Sequence, residues 1–312
     1  MATWRLSRVK FVGYDGHITT GLEVGGEEGR PTNRLAFLHA KSNTCRAMPA
    51  ALAIAAHPDD IEFVMAGTLL LLREAGWEIH CLNVSTGNFG HLTLTPAQTA
   101  RVRQREAQAA AKMLGAKWHA PLCDDLQIFY TDENLRRICA VVRAARPTVV
   151  LTHALQDYME DHMIAARLAV TATFARGIPH YRSRPPRQPT MEPATIYHAM
   201  PHGQRDPLRR RVAPESYVDT TGVQAAKRAA LACHASQKEW LDASQGQDNY
   251  LKTMDGFSRA LGAQTRRFTH AEGWRRHQHY GFCDEAADPL RDALGAKYLV
   301  SKTYRRALET AG

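Results

Sequence analysis

The chain has 312 residues, 44% hydrophobic and 23% charged, the balance of a globular protein long enough for one large core or two modest ones. Its longest apolar run, Met65 to Leu72, is too short to span a membrane. The N-terminus mixes Arg5, Arg8 and Lys10 with polar residues and has no secretory leader pattern, so a cytoplasmic protein is expected. The net charge of +9 favours anionic partners, but the basic residues are scattered and no aromatic platform is interleaved with them. A solvated basic surface is therefore expected, with no nucleic-acid partner.

Residues 1–47 are polar and Gly-rich without clear periodicity, and read as a small hairpin, a loose tail or translated sequence ahead of Met48. Ala51 to Ala56 then forms a short apolar run that stops at His57-Pro58-Asp59-Asp60, the pattern of a buried strand ending in a polar loop. Helical spacing runs from Ile61 to Glu74 and ends at Gly76. Glu78 to Val84 reads as a second strand, and Thr95-Pro96 opens a helix running to Leu114-Gly115. A helix over 133–145, a β-branched strand over 147–152 and a helix over 161–174 follow. After a Pro- and Arg-rich connection at 182–193, short strands are predicted at 195–200 and 217–220, and helices at 222–244 and 248–262.

Strands alternating with helices predict an α/β fold, a Rossmann-like three-layer domain with a mostly parallel sheet plus extra C-terminal helices. The expected division is an N-terminal extension over 1–47, a catalytic domain over 48–240 and a helical extension over 241–312 packed on it. No G-x-G-x-x-G follows the first strand, which argues against dinucleotide binding. The six cysteines form no C-x-x-C pair and read as reduced thiols.

Ligands of such sheets bind beyond the carboxyl ends of the strands, and two polar clusters fall there. The first is 57–60. The second holds His153, Asp157, Glu160, Asp161 and His162. Taken alone, the first cluster reads equally as a capped helix start beside a loop histidine. Two imidazoles and a carboxylate drawn from separate loops, however, make the open site used for zinc or iron(II), which activates water near neutral pH.

Ala56-His57-Pro58-Asp59-Asp60, with Glu62 and Gly67, resembles the signature of the LmbE/PIG-L-like N-deacetylases. The likeness continues in Thr86-Gly87, Arg103-x-x-Glu106, Asp157 to His162, Tyr217-Val-Asp219, Lys227 and His234-Ala-Ser236-Gln237, over roughly residues 50–240. The resemblance implies a metal-dependent hydrolase that removes an N-acyl group, typically acetyl, from a small amino sugar or glycoconjugate. It makes His57, Asp60 and His162 the metal ligands and Asp59 the general base. Asp161 becomes a supporting or catalytic partner and Arg103 a holder of substrate or oxyanion. Zn2+ is the expected ion, and Fe2+ suits the same ligands. The sequence leaves the oligomeric state open, a homo-oligomer included.

The family's second motif commonly reads His-x-Asp-His, with its first His stabilising the oxyanion or protonating the leaving amine. Met159 stands there in this chain, and a thioether does neither job. The substitutes considered are His202, then His234, then His198, each of which also reads as an ordinary histidine making one hydrogen bond. Asp124-Asp125 reads as a loop or capping pair that could border the crevice. Trp240 and Trp274 read as packing residues able to stack on a sugar. His277-Gln278-His279 reads as an adventitious or exposed pair. Rival readings are an amidase for a larger amide, a metal-bound carbohydrate or metabolite binder without turnover, and a nucleic-acid binder.

Overall fold

The computed structural model describes residues 6–12, 18–24, 48–245 and 250–310. Strands β1 (Leu6–Val12) and β2 (Ile18–Val24) form an antiparallel hairpin, with Leu6 opposite Val24, in a separate unit over residues 1–46. The rest of 1–47, including Cys45, lies outside the described residues. The five cysteines among the described residues are free. No described helix is long and apolar enough to cross a membrane.

The second unit is built on an eight-stranded sheet. Its strands are β3 (Ala50–Ala55), β4 (Glu78–Asn83), β5 (Ala116–His119), β6 (Val149–Thr152), β7 (Thr195–Ala199), β8 (Ser216–Asp219), β9 (Ala271–Arg276) and β10 (Tyr298–Val300), in the order β10-β8-β9-β7-β6-β3-β4-β5. The five strands from β5 to β7 are parallel; β9, β8 and β10 continue the sheet antiparallel. The helices are α1 (Asp60–Val64), α2 (Ala66–Glu74), α3 (Pro96–Leu114), α4 (Asp132–Ala145), α5 (Glu160–Ala175), α6 (Gln224–Leu231), α7 (Ala235–Gln245), α8 (Tyr250–Thr265), α9 (Pro289–Leu294) and α10 (Lys302–Thr310).

Both faces of β3 are buried, as a covered parallel strand requires. Ala51, Ala53 and Ala55 pack with Met65, Leu69 and Leu72, while Leu52 and Ile54 pack with Ile138, Val142, Leu168 and Ala172. The alternation follows from the two-residue period of a strand. From β3 the chain goes out to β4 and β5 on one side and then crosses to β6 and β7 on the other. That reversal opens the crevice at their carboxyl ends.

Three expectations are corrected. The helix predicted over 61–74 is two helices, broken at Met65, whose φ of −130° leaves the helical region. The helix predicted over 222–244 is broken between Leu231 and Ala235. The segment 241–312 is not a purely helical extension, because β9 and β10 lie within the sheet.

Strand β9 is fastened by charge. Lys227 Nζ lies 2.7 Å from Glu272 Oε1, and both side chains are buried. The Glu272 carboxylate also accepts Gly67 N–H (2.8 Å), Thr68 N–H (2.7 Å) and the Thr68 hydroxyl (2.6 Å), which satisfies first-turn donors of α2. A Cβ on Gly67 would sit 2.4 Å from Thr220 Cγ2, so glycine is required for this approach.

Candidate active site

The loop after β3 places His57 and Asp59, and Asp60 opens α1. Asp59 is the N-cap of α1, yet its φ of 107° is left-handed and its side chain makes no capping bond. Such backbone in a residue other than glycine costs on the order of 1–3 kcal/mol, and here it turns the carboxylate away from its own helix. The loop after β6 supplies His153 and Asp157, and the first turn of α5 supplies Asp161 and His162.

These two loops meet. His57 Nδ1 lies 3.3 Å from Asp60 Oδ2, and His162 Nε2 lies 3.4 Å from Asp60 Oδ1. His57, Asp60 and His162 each bring a donor atom within 4.8 Å of the other two. His153, Asp157 and His162 form a second such set, and His57, Asp125 and Asp161 a third. The His153 and His162 rings stack at 4.2 Å, and Ala56 N–H donates to His153 Nε2 at 2.9 Å. On the far edge of His57, Nε2 faces both Asp125 Oδ1 and Asp161 Oδ2, each at 3.1 Å.

The electrostatics follow from four carboxylates gathered around three imidazoles. Burial alone would lower the His57 pKa, but hydrogen bonds with Asp125, Asp161 and Asp60 outweigh it and hold the pKa well above the usual value. His162 is likewise depressed by burial and raised overall by Asp60 and Asp157. Burial would raise Asp60, yet His162 and His153 hold its pKa well below the ordinary carboxylate range. Asp59 goes the other way: burial, then the neighbouring Asp60 charge, push it up to about 6. Among the described residues, the ion pairs of Asp60, Asp125, Asp157 and Asp161 are all with these histidines. Protons on the imidazoles balance only part of the negative charge, and a divalent cation suits both the oxygen and nitrogen donors and the charge deficit. The residues therefore fit a metal.

The cluster forms the floor of a cavity of about 290 Å³. Asp59, Asp125 and Arg103 line it, with Phe63, Tyr158, Trp240 and Tyr250 forming aromatic walls. Arg103 projects from α3, is 2% exposed and donates from Nη2 to Gly90 O at 3.0 Å. Gly87, at φ 63°, admits it, since a Cβ there would lie 2.3 Å from Arg103 Nη1.

The structure brings Asp59, Arg103 and His202 to the cavity and holds Asp161 behind His57, where it also accepts Leu126 N–H at 2.9 Å. His202 stands at the mouth near Phe63 (5.4 Å) and Tyr158 (5.6 Å), and burial lowers its pKa. His234 does not line the cavity; it is buried, with Nε2 3.2 Å from Glu62 Oε2. His198 lies behind the site and donates from Nδ1 to His153 O at 2.7 Å, and burial pushes its pKa down to about 4. His277 is not an adventitious exposed histidine, because its Nδ1 lies 3.0 Å from His198 Nε2. Trp274 is buried and donates to Thr68 Oγ1 at 3.0 Å, away from the cavity. Tyr158 and Tyr250 also line the cavity, outside the motifs that the sequence offers. Tyr158 had a local signal in its place between Asp157 and Met159; Tyr250 had none.

A family model described as GlcNAc-PI de-N-acetylase (PIG-L) matches residues 52–173. The chain is 30% identical over 196 residues to the 4-oxalmesaconate hydratase of Pseudomonas putida KT2440, covering 60% of this chain and 74% of that protein. The chain belongs to the PIG-L/LmbE family. It is also 28% identical over 192 residues to the diacetylchitobiose deacetylase of Thermococcus kodakarensis, covering 60% of this chain and 69% of that protein. The crystal structure of the 4-carboxy-2-hydroxymuconate hydratase of Pseudomonas putida KT2440 superposes with a TM-score of 0.64 at 26% identity, covering 74% of this chain and 97% of that one. The chain is thus an enzyme of a PIG-L/LmbE family whose named relatives include both deacetylases and hydratases. The matched stretch 52–173 contains the whole histidine-aspartate cluster, whereas Trp240 and Tyr250 lie beyond it.

Proposed function

We propose that the chain is a metal-dependent hydrolase that removes an N-acyl group, acetyl in the simplest case, from an amino sugar or a related small glycoconjugate. The observation that carries this reading is the position of the Asp59 carboxylate: it lines the same cavity as His57, Asp60 and His162, belongs to none of the donor sets and makes no bond to its own helix, which is the place of a general base beside the cation. His57, Asp60 and His162 would hold the cation, zinc or iron(II). A cation there supplies Lewis acidity and a water of lowered pKa.

The chain's own residues divide the remaining work. Asp59 takes a proton from the attacking water. The Arg103 guanidinium faces the negative charge that develops on the acyl oxygen, or binds a sugar hydroxyl. Asp125 accepts hydrogen bonds from a hydroxylated substrate, and its link to His57 fixes the imidazole edge. Asp161 does the same from the side away from the cavity. Met159 lines the cavity but carries no proton, so the leaving nitrogen receives its proton from Asp59 or from His202 at the mouth.

A second reading is hydration of an unsaturated acid, favoured by Met159 and by the hydratase relative. The lining gives it little support: besides the cation and the imidazoles, Arg103 is the one Arg or Lys in the described lining, and Asp59 and Asp125 stand there as further carboxylates, so a polycarboxylate has few partners left to pair with. The test incubates zinc- or iron(II)-loaded enzyme with N-acetylglucosamine, N,N'-diacetylchitobiose and an unsaturated dicarboxylic acid. Acetate release supports the hydrolase; water addition to the alkene without acetate release replaces it with the hydratase.

A further inference from the structure

We propose that Tyr250 is a positioning residue for the base, its hydroxyl fixing the Asp59 carboxylate so that one oxygen is held and the other is left to take a proton. The inference rests on the role assigned to Asp59 above and adds a residue from α8, outside the matched family stretch.

Three independent features converge on it. First, the Tyr250 hydroxyl donates to Asp59 Oδ2 across 191 positions of sequence. Second, Asp59 is free for this contact because it declines the usual work of an N-cap: its backbone is left-handed and its side chain makes no bond to α1. A buried tyrosine ordinarily finds some partner for its hydroxyl, and a backbone carbonyl would serve. Here the partner is instead the one carboxylate of the cavity that is strained out of its helix. Third, the Tyr250 ring cannot drift. It is 3% exposed, its centroid lies 5.9 Å from that of Phe63, and it packs with Leu231 and Met254. Tyr250 and Asp59 both border the cavity, so the hydrogen bond lies in its wall.

The physical consequence is orientational. A carboxylate on a two-torsion stem samples several rotamers, and proton transfer requires one of its oxygens at hydrogen-bond distance from the water. With Oδ2 engaged by Tyr250, the carboxylate plane is set and Oδ1 is the oxygen that remains available. Because Tyr250 opens α8, the packing of that helix on α6 becomes part of the catalytic alignment.

Tyr250→Phe removes the hydroxyl and keeps the ring. Crystal structures of zinc-loaded wild type and Tyr250→Phe give a readout independent of turnover: the Asp59 carboxylate leaves its rotamer or splits between two in the variant. Kinetics on whichever N-acetylated amino sugar the wild type cleaves should show kcat reduced roughly 10- to 100-fold, the scale of misplacing a reacting group. KM and zinc stoichiometry should stay unchanged, and Tyr250→Phe should cause no further loss in an Asp59→Asn background. An unmoved carboxylate with unchanged kcat overturns the proposal. So does a rise in KM alone, which would make Tyr250 a substrate contact, or a loss of zinc, which would make it a prop for the metal cluster. If the wild type cleaves no amide yet the carboxylate turns in the variant, the acyl-hydrolase reading fails and the positioning role stands.

Discussion

Two of the places where the described residues bury charge are built differently. Behind α2, Lys227 and Glu272 form a closed account: one cation, one anion, and both carboxylate oxygens occupied by Gly67, Thr68 and Lys227. At the carboxyl ends of β3 and β6, four carboxylates face three imidazoles. The first arrangement is complete without a ligand and ties β9 to α2. The second has more carboxylates than imidazoles to balance them. Buried charge marks function when its own neighbours do not neutralise it, and architecture when they do.

The largest expected effect separates chemistry from binding within the second region. Asp59→Asn should lower acyl hydrolysis by about 10²–10⁴-fold, since it removes the base while asparagine tolerates the left-handed backbone. Metal content should not change, and metal analysis beside the rate measurement checks both halves. Next comes the closed pair. Lys227→Met should cost about 3–5 kcal/mol of stability by stranding the Glu272 charge, as read by urea denaturation, with metal content intact. A loss of metal in that variant would break the contrast between the two regions. Chelation should act in reverse, lowering the melting temperature of wild type and Lys227→Met alike. At metal concentrations 100 to 1,000 times Kd the stabilisation lost is about 2.7–4.1 kcal/mol, and it should vanish in His162→Ala.

The smallest effect is a pH dependence. In metal-free enzyme Asp59 keeps its proton up to about 6, whereas the unfolded chain loses it near 3.8. The folded state therefore binds more protons between those values, and this residue's contribution to stability falls as pH rises from about 4 through 6. Asp59→Asn should gain on wild type across that window and no further above it. A stability difference flat from pH 4 to 7 would contradict the raised pKa.

Much of this was legible in the sequence because it is local. The apolar run before His57, the strand and helix alternation and the capping pattern at Thr95 each depend on neighbouring residues, and Thr95 indeed accepts from Gln98 N–H. The histidine-aspartate motifs were legible for the same reason. What failed depends on distant partners. Glu272 and Gly273 make β9 a poor strand by pattern, and only Lys227, Gly67 and Thr68 explain a buried glutamate there. His277 looked exposed because its partner His198 is 79 positions away. His234 matched a motif, but the structure spends it on Glu62, out of reach of the cavity. Tyr250 carries no local sign of Asp59 at all.

If the cluster holds a divalent cation through His57, Asp60 and His162, losing one of those imidazoles should release it. Metal analysis of purified wild type and His162→Ala, each reconstituted with zinc and then dialysed, tests it most directly. The expected result is about one equivalent retained by the wild type and a small fraction of that by the variant. Equal retention by the two proteins would remove His162 from the ligand set and with it the proposed site.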